Sequence, residues 1–157
     1  MKLVIRKKLL RLGIFILLAL WCFGFSFESL FPHSSLAAVS YPLLKHSYGV
    51  VCHQIPSKTF ELGSQKLLVC ARCTGIYLGA LLVSFFSLMF FTKLNLGIKL
   101  LYISLVPLLI DVIFSTLDIY KYSKIIAFGT GIFFGSVVFV YILASIENNF
   151  IDKKIEG

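Results

Sequence analysis

Cys52-His53 is followed, after sixteen intervening residues, by Cys70-Ala-Arg-Cys73, a C-H-x16-C-x2-C spacing. Thiolate and imidazole are the usual ligands of tetrahedral zinc, and a closed Cys3His set suits a structural ion better than a hydrolytic one, which needs an open position. The same thiols could instead exchange disulfides, with Cys70–Cys73 as the active pair and Cys52 as the shuttle. The C-x2-C half is geometrically the stronger. If it opens a helix, positions i and i+3 share a face, and the positive end of the helix together with Arg72 favours thiolates. The Cys-His half is weaker, because adjacent side chains rarely reach one ion without a tight turn. His53 would then orient a ligand rather than bind. His46, seven positions earlier, competes for the fourth place. Cys22, beside Trp21 and Phe23, reads as a small hydrophobe, and His33 as an ordinary loop residue.

The elements that must position these groups are apolar. The chain has 157 residues, 59% hydrophobic and only 14% charged, with mean hydropathy +0.94. A soluble domain carries roughly 25% charge, so both a water-soluble fold and a disordered chain are excluded. Four cysteines are too few for a disulfide scaffold. Apolar runs at about 12–27, 73–92, 100–117 and 125–146 predict four membrane helices, the first marginally short. The expected fold is an all-α, single-domain integral bundle of about four spans with one extracytoplasmic loop, residues 28–72. Within that loop Pro42–Val51 reads as a short interfacial helix and Ile55–Gly63 as irregular.

The net charge of +8 marks membrane flanks and does not point to nucleic acid. Lys2, Arg6, Lys7, Lys8, Arg11, Lys93, Lys99, Lys153 and Lys154 fall on one side of a four-span topology. Both termini are therefore expected to be cytoplasmic in a multi-pass cell-membrane protein. A rival reading makes residues 1–37 a cleaved signal ending at Ser35-Leu36-Ala37; its apolar run is longer than most such leaders, and the first helix is read as retained.

The string CHQIP followed by VCARCTGIYLG resembles the signature of a prokaryotic membrane-protein family, domain of unknown function 2085. The resemblance is strong over residues 52–79. It implies a small multi-spanning protein and singles out Cys52, His53, Gln54, Pro56, Cys70, Arg72, Cys73, Gly75, Tyr77 and Gly79, without implying a reaction. It extends loosely to Pro107, Asp111, Gly131 and Gly135. Ser57-Lys58 and Ala127 depart from the family pattern, which places arginines near both, so an anionic contact of those arginines is expected to be missing.

Asp111 interrupts the third run, and an ionisable group at membrane depth is a functional candidate. It is expected near the mouth where Arg72 lies, pairing with it or relaying protons. Pro107, four residues earlier, should bend the helix. Gly75-x3-Gly79 and Gly131-x3-Gly135 permit close helix approach, packing helices two and four or making a homo-oligomer. The expected partner is the lipid bilayer. Three functions follow: a zinc-type Cys/His metal protein; a membrane thiol–disulfide oxidoreductase, which would require a quinone; or a small transporter or lipid-handling protein. Whether the chain is an enzyme stays open.

Overall fold

A computed structural model describes residues 2–31, 34–62, 65–90, 98–117 and 121–147. The element order is α1 (Lys2–Leu30), α2 (Ser35–Gly49), a 3-10 turn (Pro56–Lys58), β1 (Thr59–Leu62), β2 (Gln65–Cys70), α3 (Ala71–Met89), α4 (Ile98–Thr116) and α5 (Lys124–Glu147). Four helices are long and apolar enough to cross a membrane: Ile5–Leu30, Ala71–Met89, Ile98–Thr116 and Lys124–Glu147. The fold is a helical membrane bundle, as expected. His33 lies outside the described residues.

The first span is longer than the sequence pattern allowed, because Arg11 belongs to it rather than to its flank. Arg11 is buried; its Nε donates to Glu147 Oε1 at 2.5 Å and its Nη1 to the Ser87 carbonyl at 2.6 Å. A guanidinium paired with a carboxylate and a carbonyl can enter a low-dielectric interior. The bond joins the start of α1 to the ends of α3 and α5. Trp21 and Tyr77, 6.1 Å apart, show that α1 and α3 run in opposite directions.

The glycine pairs face each other within the chain. A β-carbon at Gly75 would collide with the Phe128 carbonyl, one at Gly79 with that of Ile132, one at Gly131 with that of Arg72, and one at Gly135 with Ile76. Helices α3 and α5 therefore run in parallel, backbone against backbone, as small-x3-small pairs permit. Of the two expectations for these glycines, the packing of the second and fourth spans is the one seen: all four lie in the contact between α3 and α5. Helix α4 continues through Pro107.

Within the loop the expected helix at Pro42–Val51 is present but begins earlier and ends sooner, at Ser35–Gly49. The stretch read as irregular needs correcting, since it carries β1, which pairs with β2 in an antiparallel hairpin. Alternating side chains in Thr59–Leu62, followed after two residues by Gln65–Cys70, produce it. Thr59 lies opposite Cys70 with a register shift before Glu61, and Phe60 seats the hairpin on α5 through Phe128, with ring centroids 5.5 Å apart.

Candidate thiol centre

Three separate pieces of chain deliver the three sulfurs. Cys52 follows the last turn of α2, its N–H bonded to the Tyr48 carbonyl at 2.9 Å. Tyr48 is buried; its hydroxyl donates to the Trp21 carbonyl at 2.8 Å, which ties α2 to α1. Strand β2 carries Cys70 to the N-cap of α3, where its backbone is still extended at φ −68°, ψ 162°. Cys73 lies one turn into the helix, and the Thr74 hydroxyl closes that turn on the Cys70 carbonyl at 3.0 Å. The C-x2-C pair thus straddles a strand-to-helix junction, whose unsatisfied N–H groups favour negative charge.

The sulfurs of Cys52, Cys70 and Cys73 all lie within 4.8 Å of one another. All are free thiols, and they pack with Cys22, Phe25, Tyr48, Leu68 and Val69 in a buried cluster. Cys52 Sγ accepts the Cys70 backbone N–H at 3.2 Å. Hydrogen bonds from the Cys70 and Cys73 thiols, then the backbone N–H groups of Cys70 and Gln54, hold the Cys52 thiol far below the ordinary thiol range against the opposing effect of burial. Cys70 is pushed up, first because its proton is engaged by Cys52. The two shifts run in opposite directions, so Cys52 gives up its proton more readily than Cys70.

The other sequence candidates fall around this trio in different ways. His53 is exposed and lies outside the group of three ligand atoms, because consecutive side chains diverge at this turn. Gln54 adopts a left-handed φ of 48° and its amide donates to the Lys45 carbonyl at 3.0 Å, fastening the turn to α2. His46 is exposed on α2 and lines a cavity with Tyr41, Pro42 and Lys45. Arg72 and Asp111 do meet: Nε donates to Oδ2 at 3.2 Å and Nη2 to the same oxygen. The Asp111 side chain is 3% exposed and that of Arg72 20%, so the pair is largely withdrawn from the surface, joining the first turn of α3 to α4. Lys58, one of the departures noted above, rests over the Tyr122 ring at 5.0 Å, and Ala127 is fully buried. Cys22 is a buried member of the surrounding cluster, outside the three-sulfur group.

Sequence reasoning missed Tyr48, Glu147 and the pairing role of Arg11. Arg11 and Glu147 fall at the same end of a four-span bundle, a signal that could have paired them. Nothing local marks Tyr48, whose role depends on how α2 folds back.

Residues 52–141, more than half of the chain, match the family model described as Predicted membrane protein (DUF2085). The chain is 35% identical over 101 residues to an uncharacterised protein of Methanocaldococcus jannaschii, covering 61% of this chain and 64% of that one. It is 32% identical over 83 residues to an uncharacterised protein of Methanothermobacter thermautotrophicus, covering 52% of this chain and 75% of the other. The chain therefore spans a little under two thirds of the first relative. No solved structure matches it.

Proposed function

The chain belongs to that family of predicted membrane proteins, and we propose that within it the protein holds one soft divalent cation, zinc, on Cys52, Cys70 and Cys73. The observation that carries this reading is the approach of the three sulfurs to within 4.8 Å. Tetrahedral zinc with Zn–S bonds of about 2.3 Å needs sulfurs about 3.8 Å apart, so the trio fits with small movements. A bound ion would release the remaining thiol protons and join the segment after α2 to the junction of β2 and α3. That is a structural role: it clamps the hairpin to the bundle. The fourth corner falls to His53, the neighbour of Cys52, or to an external ligand, with His46 a more distant candidate. Gln54 supports the site by aiming its backbone N–H at Cys52, and Arg72, held by Asp111, fastens the first turn of α3 that carries Cys73. The thiol end is proposed to face outward, because the basic N-terminal cluster belongs to the opposite end.

Metal analysis of protein purified without oxygen tests the reading. About one zinc per chain is expected, with three thiols protected until a chelator is added, and Cys52→Ser should abolish retention. Metal-free protein with a reducible Cys70–Cys73 bond would overturn it in favour of thiol–disulfide exchange, which the acidified Cys52 thiol also suits.

A further inference from the structure

Helix α2 (Ser35–Gly49) divides into sharply different faces. Ala37, Tyr41, Leu44 and Tyr48 point to the bundle: Ala37 and Tyr48 are buried, while Tyr41 and Leu44 pack against the buried cluster. At 100° per residue they span an arc of about 60°. Leu36, Val39 and Leu43, continued by Val50 just beyond the helix, are exposed by 74, 81, 70 and 78%. They occupy another arc of about 60°, centred about 140° from the first. Lys45 lies about 150° from the centre of this apolar stripe, and the exposed His46 borders the stripe about 20° beyond Val39; both line a cavity with Gln54 that also takes in Val50.

The partner of the stripe follows from what α2 lies on. The Tyr48 hydroxyl reaches the Trp21 carbonyl, and a β-carbon at Gly24 would strike that same hydroxyl. Both positions fall within the membrane-crossing stretch Ile5–Leu30, Trp21 being nine residues, or about 13 Å, before its end. An element packed on that part of α1 stands at membrane depth. Its outward stripe therefore continues the apolar surface begun by Leu30 and Phe31, which are 48 and 49% exposed. The α2 serines suit such a setting, since Ser40 donates to the Leu36 carbonyl at 2.7 Å and Ser47 to that of Leu43 at 2.9 Å; neither hydroxyl needs water. A second copy is a poor occupant, because four aliphatic side chains fall short of the ~800 Å² per partner of a stable dimer.

We propose that α2 is a membrane-embedded interfacial helix, with Leu36, Val39, Leu43 and Val50 against the lipid acyl chains and Lys45 turned toward the headgroups. It is a fifth membrane contact beyond the four spans. It places the thiol centre, which begins three residues past α2, at the bilayer boundary instead of in a free loop. The inference does not depend on metal binding.

The test uses the full chain in lipid nanodiscs. Val39→Trp and Leu43→Trp each add a reporter on the stripe, Glu61→Trp adds one on the exposed hairpin, and the emission of the parent Trp21 is subtracted. Both stripe reporters should lose at least half of their added emission in lipids brominated along the acyl chain. They should also be at least threefold less sensitive to aqueous acrylamide than the Glu61→Trp reporter. Stripe reporters as sensitive to acrylamide as position 61 would overturn the proposal, and so would reporters shielded from both quenchers, which would show protein covering the stripe.

Discussion

Removing Asp111's charge tests the ion pair between α3 and α4. In Asp111→Asn, the Arg72 guanidinium loses a nearly buried carboxylate partner. Breaking a buried pair by deleting one member costs about 3–5 kcal/mol. Because the Arg72 side chain keeps 20% of its surface exposed, the low end applies, about 3 kcal/mol. For a chain of this length that lowers the midpoint of thermal unfolding by roughly 6–12 °C. Arg72→Met takes the guanidinium away from a carboxylate that is 3% exposed and should destabilise by a similar amount. The double variant Arg72→Met with Asp111→Leu replaces the pair by apolar groups and should be much milder than the sum of the singles, a coupling of at least about 2 kcal/mol. The assay is thermal unfolding in a fixed detergent, followed by helical circular dichroism. Additive losses would refute the reasoning, because they would mean that the two groups do not act as a pair.

Two glycines on α5 make a sharp contrast. Gly131→Ala places a methyl group against the Arg72 carbonyl and should cost about 1–3 kcal/mol through overpacking, whereas Gly129→Ala meets nothing within 4 Å and should be neutral or stabilising by thermal midpoint. At Gln54, whose φ is 48°, Gln54→Gly should be more stable than Gln54→Ala by roughly 1 kcal/mol, because both lose the amide bond to Lys45 but only alanine retains the left-handed penalty. The lowered Cys52 pKa means that folding favours its thiolate. That stabilisation is full above the unfolded thiol value of about 8.5 and is lost as pH falls through the folded value; the raised Cys70 acts in the opposite sense. Metal-free protein at pH 6 should therefore show about one thiolate per chain by absorbance near 240 nm, abolished in Cys52→Ser, where ordinary thiols would be under about 1% ionised.

Much of this architecture is legible in the chain itself. Three uncharged runs of sixteen residues or more, and one broken only by Asp111, are long enough to cross lipid as helices, so the four candidate spans follow from composition and order. The C-x2-C pair at the start of the second span and the carboxylate of Asp111 near the same mouth were both locatable, and their neighbour Arg72 does pair with Asp111. The hairpin was less visible, because six residues of β2 contribute a weak alternation beside two charged positions. Arg11 was misread for a physical reason: hydropathy counts a charge as outside the membrane, while its cost is offset when a distant Glu147 and the Ser87 carbonyl accept its hydrogen bonds.

Residue types and their order thus determined a membrane bundle, its approximate spans and the donor atoms available at one end. Only the folded chain decided which donors converge: the three sulfurs come together because α2 folds back along α1 and β2 runs straight into α3, while His53, adjacent to Cys52 in sequence, is turned to the exposed side. It also decided that the four glycines meet one another's helices within the chain. Local sequence sets the spacing of atoms along a helix or strand. Contacts between segments tens of residues apart depend on how the helices pack, and no local pattern encodes that packing.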